Sequence, residues 1–124
     1  MAKSFLILSS LAGGLAVILG AFAAHGLKAR LEPALLAAFR TGVEYQFYHA
    51  LALLGVAILL QQWQGGTLLV AAGIFFTLGI LLFSGSLYGL ALLQWKWLGP
   101  ITPLGGVCFI VAWACLLAAA AKQP

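Results

Sequence analysis

Acidic side chains are nearly missing from this 124-residue chain: Glu32 and Glu44 are the only two, against six lysines and arginines and two histidines. That scarcity excludes a paired-carboxylate site for general acid and base work. Cysteine is also scarce. Cys108 and Cys115 stand seven residues apart in one apolar run, which on a helix separates them by about two turns, roughly 10 Å. A disulfide cannot bridge that gap, so the pair reads as small packing residues, with Cys108 kept as a candidate soft metal ligand. No serine or cysteine stands beside a base in a nucleophile arrangement, and no glycine loop follows a strand to cradle phosphate. An enzyme is therefore disfavoured. Charged residues of either sign make up only 6% of the chain and hydrophobic residues 65%, which leaves no room for a soluble domain.

What is present is four long apolar runs, at about 4–24, 41–61, 67–93 and 103–121. Each has the 20 or so residues needed to cross a hydrocarbon core of roughly 30 Å. The expectation is an all-α, polytopic membrane protein, a single membrane domain over 1–124 built as an antiparallel four-transmembrane-helix bundle. Pro103 suits the first turn of the last helix, and Gly65-Gly66 suits a turn. Lys3, an apolar run and Ala21-Phe22-Ala23 imitate a secretory signal peptide, but the run is long for one.

Basic residues favour the cytoplasmic side of short loops. Lys28, Arg30 and Arg40 fall in the first loop and Lys96 in the third, against Lys3 and Lys122 at the other end. This predicts a multi-pass membrane protein with both termini outside the cytoplasm. The net charge of +4 is then explained by anionic headgroups, without nucleic acid. Trp63, Trp95 and Trp97 read as interfacial anchors.

Helices in lipid associate through small side chains that let backbones approach. Ser9, Gly13, Ala16, Gly20 and Ala24 form such a stripe on the first helix. Gly73, Thr77, Ser84 and Tyr88 align on the third, beside the pair Gly85 and Gly89, and Gly105, Cys108, Ala112, Cys115 and Ala119 recur along the fourth. The stripes serve either packing within the bundle or self-association into a homo-oligomer.

The second span carries Glu44, Tyr45, Tyr48 and His49 over an arc of about 140°, with Phe47, Leu51, Leu54 and Ile58 opposite. The polar arc is expected to face the bundle and the aliphatic one the lipid. Ionisable groups at membrane depth commonly mark a pathway, relay or ligand. Threading the spans brings His25, Glu44, Tyr45, Tyr48, His49, Ser84 and Tyr88 toward one end, a candidate ligand-binding or proton-relay cluster. The plainer alternative is that Glu44 pairs with Arg40 four residues away and His49 only locks helices together.

Four ordered segments carry a family resemblance: Gly20-Ala21-Phe22-Ala23-Ala24-His25-Gly26-Leu27, Thr41-Gly42-Val43-Glu44-Tyr45-Gln46-Phe47-Tyr48-His49-Ala50, Phe83-Ser84-Gly85-Ser86-Leu87-Tyr88 and Leu98-Gly99-Pro100-Ile101-Thr102-Pro103-Leu104-Gly105-Gly106. Together they resemble the hallmark segments of the YgdD/YwdK family, small inner-membrane proteins of unassigned function with eukaryotic relatives. The resemblance covers essentially the whole chain and implies four spans. It supplies no reaction.

Three functions fit these residues. A non-enzymatic assembly component would bind membrane partners or lipids through its small-residue stripes. A small proton-coupled transporter would titrate Glu44 and His49. A metal- or haem-binding protein would use His25 and His49, with Glu44 or Cys108 completing the shell. The cofactor, if any, is not specified by the sequence. His25-Gly26-Leu27 is echoed by Tyr88-Gly89-Leu90, too short a match to establish a repeat. Glu32-Pro33 is expected to open a short amphipathic helix over 33–40 on the membrane surface, with Leu36 and Ala37 shielded by lipid.

Overall fold

The computed structural model describes residues 1–64 and 66–124, so Gly65, half of the expected turn, lies outside the described residues. Four helices account for nearly all of them: α1 (Ala2–His25), α2 (Pro33–Gln62), α3 (Thr67–Leu93) and α4 (Ile101–Ala121). Each is long and apolar enough to cross a membrane. Within lipid a chain has no water to satisfy its N–H and C=O groups, so unbroken apolar runs become helices that pair those groups internally. The ends of α1 and α3 and the starts of α2 and α4 share one side, and both chain termini share the other.

Helix α2 begins earlier than the apolar run that announced it. Glu32 is its N-cap and Pro33 occupies the first turn, where a missing N–H costs nothing. No strong breaker follows until Gln62. Residues 33–40 are thus the first turns of α2 and not a separate surface helix. Leu36 and Phe39 are buried against Ala23, Leu27 and Ala91, and the Phe39 ring lies 4.9 Å from that of Tyr88. Leu36 is shielded by protein and Ala37 is exposed. The segment is amphipathic because one side meets α1 and α3.

Helices α2 and α3 form the centre. Helix α1 packs mainly on α2 and α4 mainly on α3, while α1 and α4 barely meet among the described residues. The α1 stripe faces α2. A Cβ on Gly20 would lie 3.4 Å from Val43, and one on Gly13 3.9 Å from Ala50. The stripe ends at Ala23, which is buried, and Ala24 is exposed.

Between Ile80 and Ser84 helix α3 widens into a π-helical segment, a device common at functional sites and at local irregularities of packing. Its neighbour there is α4. A Cβ on Gly105 would run into the Phe83 backbone, 2.6 Å from its Cα, and one on Gly79 into the Phe109 ring. The closest α3–α4 approach is thus made by missing side chains at the widened turn. Gly89 makes room for Leu98, whereas Gly85 has nothing within 4 Å and is exposed. Gly85 therefore does not pack within the chain. Helix α3 ends at Gln94, whose left-handed backbone (φ 55) caps it, before a 3-10 turn at Lys96–Leu98 where the exposed rings of Trp95 and Trp97 stack.

Gly105→Ala is expected to destabilise the fold by about 1–3 kcal/mol, the usual cost of overpacking. Gly85→Ala should be neutral or stabilising by up to ~1 kcal/mol, from helix propensity alone. Unfolding of both variants by dodecyl sulfate titration in mixed micelles, followed by circular dichroism, measures the difference.

Candidate functional site

Two hydrogen-bonded hubs tie the four helices together at mid-depth. The first is Gln46, 5% exposed on α2. Its amide nitrogen donates to the Ala12 carbonyl of α1 at 2.8 Å, and its amide oxygen accepts from the Tyr88 hydroxyl of α3 at 2.6 Å. The Ala12 carbonyl belongs to helix backbone and takes a second donor through its free lone pair. One turn earlier, fully buried Ser84 donates to the Gly42 carbonyl at 2.7 Å. Gly42 allows this because a Cβ there would press on the Tyr88 ring at 2.8 Å.

His49 is the second hub. Its Nε2 lies 3.1 Å from the Trp113 indole nitrogen of α4, and its Nδ1 lies 2.7 Å from the Tyr45 carbonyl. An indole N–H only donates and a carbonyl only accepts. The geometry therefore assigns the proton to Nδ1 and leaves Nε2 as the acceptor. The imidazole also lies flat on Phe109, with ring centres 3.6 Å apart and planes 8° from parallel. Ser86 on α3 and Thr102 on α4 complete the set, their hydroxyls 2.6 Å apart. Among the described residues no buried side-chain polar atom lacks a partner.

The seven-residue cluster expected from the sequence does not come together as one. Tyr45 and His49 stack at 5.9 Å on the α4 side. Ser84 and Tyr88 gather around Gly42 and Gln46. Tyr48 touches the first group only through its ring, 5.7 Å from that of Tyr45, and is otherwise exposed, while His25 and Glu44 join neither group: His25 is exposed at the end of α1 and Glu44 on the outer face of α2. The cause is angular. An arc of about 140° is wider than the roughly 100° stripe a helix normally buries, and the buried stripe of α2 is centred on Gln46 and Leu53, beyond the His49 edge of the arc. Phe47, Leu51 and Ile58 are exposed beside Glu44.

Glu44 makes no ion pair with Arg40, and Glu44 and His49 share no hydrogen bond among the described residues. No three His, Cys, Asp or Glu side chains come together there as a metal shell. Cys108 and Cys115 are free and half-buried. The Ser84, Ser86 and Tyr88 hydroxyls are already hydrogen-bonded elsewhere, and Tyr45 meets His49 through its ring. Sequence reasoning passed over Gln46 and Trp113. Both carried a signal, since an amide inside an apolar span needs partners and Trp113 sits too deep in its run to be an interfacial anchor.

Two open cavities flank the hubs. One of about 390 Å³ lies between α1 and α3, with Gln46 and Tyr88 among aliphatic residues such as Leu15 and Leu81. The other, about 460 Å³, lies between α2 and α4 and is lined by Tyr45, His49, Phe83, Gly106, Phe109 and Trp113.

A bundle of four membrane-crossing helices held by buried amide, imidazole and hydroxyl groups defines a small multi-pass protein of the cell membrane. The model of a family described as "Protein of unknown function (DUF423)" matches residues 19–106. The chain belongs to this family, as the four ordered segments implied. It is similar to the UPF0382 membrane protein YwdK of Bacillus subtilis, 48% identical over 97% of this chain and 98% of that one. It is also similar to the UPF0382 membrane protein SAB0533 of Staphylococcus aureus, at 43% over 97% of each. The UPF0382 inner membrane protein YgdD of Escherichia coli is 38% identical over 97% of this chain and 91% of its own. No solved structure matches.

A double-mutant cycle on Gln46→Leu and Tyr88→Phe should give a coupling of about 0.6–2 kcal/mol, the range for interhelical hydrogen bonds in bilayers. The same unfolding titration reads it. Additive effects would mean that the 2.6 Å contact contributes nothing.

Proposed function

We propose that this protein is a non-enzymatic assembly component of the inner membrane, one that binds another membrane protein through its outer surface. The observation that carries this reading is a contrast between interior and exterior. The inner polar groups satisfy one another, while the Glu44 carboxylate and the Tyr48 hydroxyl, whose ring rests against Tyr45, face outward along α2 with no hydrogen-bond partner among the described residues. A carboxylate and a phenol at membrane depth are costly to leave facing lipid, and such groups normally face protein or water. The face outside this chain is then the inside of a larger assembly. The basic residues of the two loops on one side, Lys28, Arg30, Arg40 and Lys96, are all exposed, and support placing those loops in the cytoplasm and both termini outside it.

A photo-crosslinking residue at position 48, activated in native membranes, should yield discrete protein adducts. The same residue at Leu81, which is 64% exposed on α3, should yield lipid adducts alone. Lipid adducts alone at both positions would remove the assembly reading.

The aromatic cavity over His49 favours a second reading, in which the protein holds a lipid-soluble ligand between α2 and α4. Pockets of this size, largely apolar with few polar groups, are typical small-molecule sites. Gly106→Leu fills the cavity while leaving Gln46, His49 and Trp113 themselves unchanged. Native mass spectra from mild detergent should show an added mass in the wild type that this variant loses; bare protein in both would sink the ligand reading.

A further inference from the structure

The outer face of α2 has a pattern of its own. Glu44, Tyr48, Leu51, Gly55 and Ile58 follow one another at steps of four, three, four and three. That is the 3.5-residue repeat by which two parallel helices wind about each other with a left-handed crossing, the commonest geometry in membrane bundles. Tyr48, Leu51 and Ile58 are 53%, 54% and 45% exposed, Glu44 is exposed, and Gly55 has nothing within 4 Å of the place its Cβ would occupy. Helix α1 only flanks the stripe, through Ala16 and Val17 beside Glu44 and Tyr48, and leaves these residues exposed.

Its depth follows from the register of α1 against α2. Gly20 lies opposite Val43 and Gly13 opposite Ala50, which sets Glu44 level with residues 19 and 20 of α1. That is roughly 8 Å inside the His25 end of a helix about 36 Å long, and so below the edge of a roughly 30 Å hydrocarbon core. Glu44 shares an open cavity with Ala16, Val17, Val43, Phe47 and Tyr48. None of the others carries a charge, and only Tyr48 carries a side-chain donor.

One acceptor and one donor, four residues apart on one exposed stripe, are self-complementary. In a two-fold pair each patch meets its own copy, so residue i touches j and j touches i. Copies inserted in one membrane share an orientation, which makes the two α2 helices parallel. Side chains on a helix lean toward its N-terminus. The long Tyr48 side chain therefore drops about one turn, to the height of Glu44 on the facing helix. Resting on the assembly reading above, we propose that the protein forms a parallel two-fold homodimer through this stripe, with the Tyr48 hydroxyl of each copy donating to the Glu44 carboxylate of the other. The pairing satisfies both outward polar groups and draws the two carboxylates away from the axis. Gly55 lets the backbones approach farther along the contact.

The test uses the full chain in native membranes, with two differently tagged copies and a photo-crosslinking residue at Leu51. The wild type should give an adduct of twice the 13.0 kDa chain. Glu44→Leu or Tyr48→Phe, present in both copies, should lower that adduct about tenfold, a few-fold for each of two interhelical bonds lost. A mixed pair, one copy carrying Glu44→Leu and the other Tyr48→Phe, keeps one of the two bonds and should recover roughly threefold over either like pair. Tyr48→Phe keeps the ring, and its unchanged unfolding curve would establish that the loss is not misfolding. A dimer adduct indifferent to the variants, or a mixed pair no better than the like pairs, would overturn the pairing. An adduct of some other protein's mass would overturn self-association and leave the assembly reading standing. Lipid adducts alone would overturn both.

Discussion

In a bilayer each polar group must find its partner inside the protein, and the arrangement of these four helices follows from that constraint. Gln46 meets it for three helices at once by donating to a carbonyl of α1 and accepting from the phenol of α3. His49 extends it to α4 through Trp113. Apolar packing alone does not fix how such helices are rotated, because lipid tails compete with leucine on equal terms. Directional bonds select the rotation. They place Gln46 and Leu53 at the centre of the buried face of α2, and by the same turn they set Glu44 and Tyr48 outside.

The α3–α4 contact is the second device, and it works by omission. Gly79 admits the Phe109 ring and Gly105 admits the Phe83 backbone, so the two helices touch where one of them has opened into a π-helical turn. Phe109 then lies flat against His49. The polar hub, the widened turn and the glycine contact are consequently parts of one arrangement. That arrangement also shapes the aromatic cavity between α2 and α4, because α4 rests on α3 and stands off from α2.

Seen from outside, the molecule is an aliphatic cylinder with one discordant stripe. Exposed leucine, isoleucine and valine on α1, α3 and α4 are what lipid requires. Glu44 and Tyr48 are not. Because the interior is already satisfied, their cost is left on the outer face of α2.

Much of the fold could be read from the residues alone. Four runs of apolar residues of sufficient length, separated by Pro33, Gly66 and the Gly99-Pro100 pair, define the spans, because backbone in lipid has few alternatives to a helix. The small-residue stripes on α1 and α4 were legible for the same reason, since only small side chains permit close approach, but not whether each served the bundle or self-association. The candidate site was less accessible. His49, Ser84 and Tyr88 stood out as polar groups in apolar runs, yet helical periodicity gives only relative angles, and the rotation of α2 depends on partners more than 30 residues away in Ala12, Tyr88 and Trp113. Which of Glu44 and Gln46 turned inward was a tertiary decision. The sequence by itself determined that this chain is four membrane-crossing helices, through the length and unbroken apolarity of its runs. Only the tertiary structure decided which polar groups lock the bundle and which face out, because hydrogen bonds between distant helices, and not local periodicity, set each helix's rotation.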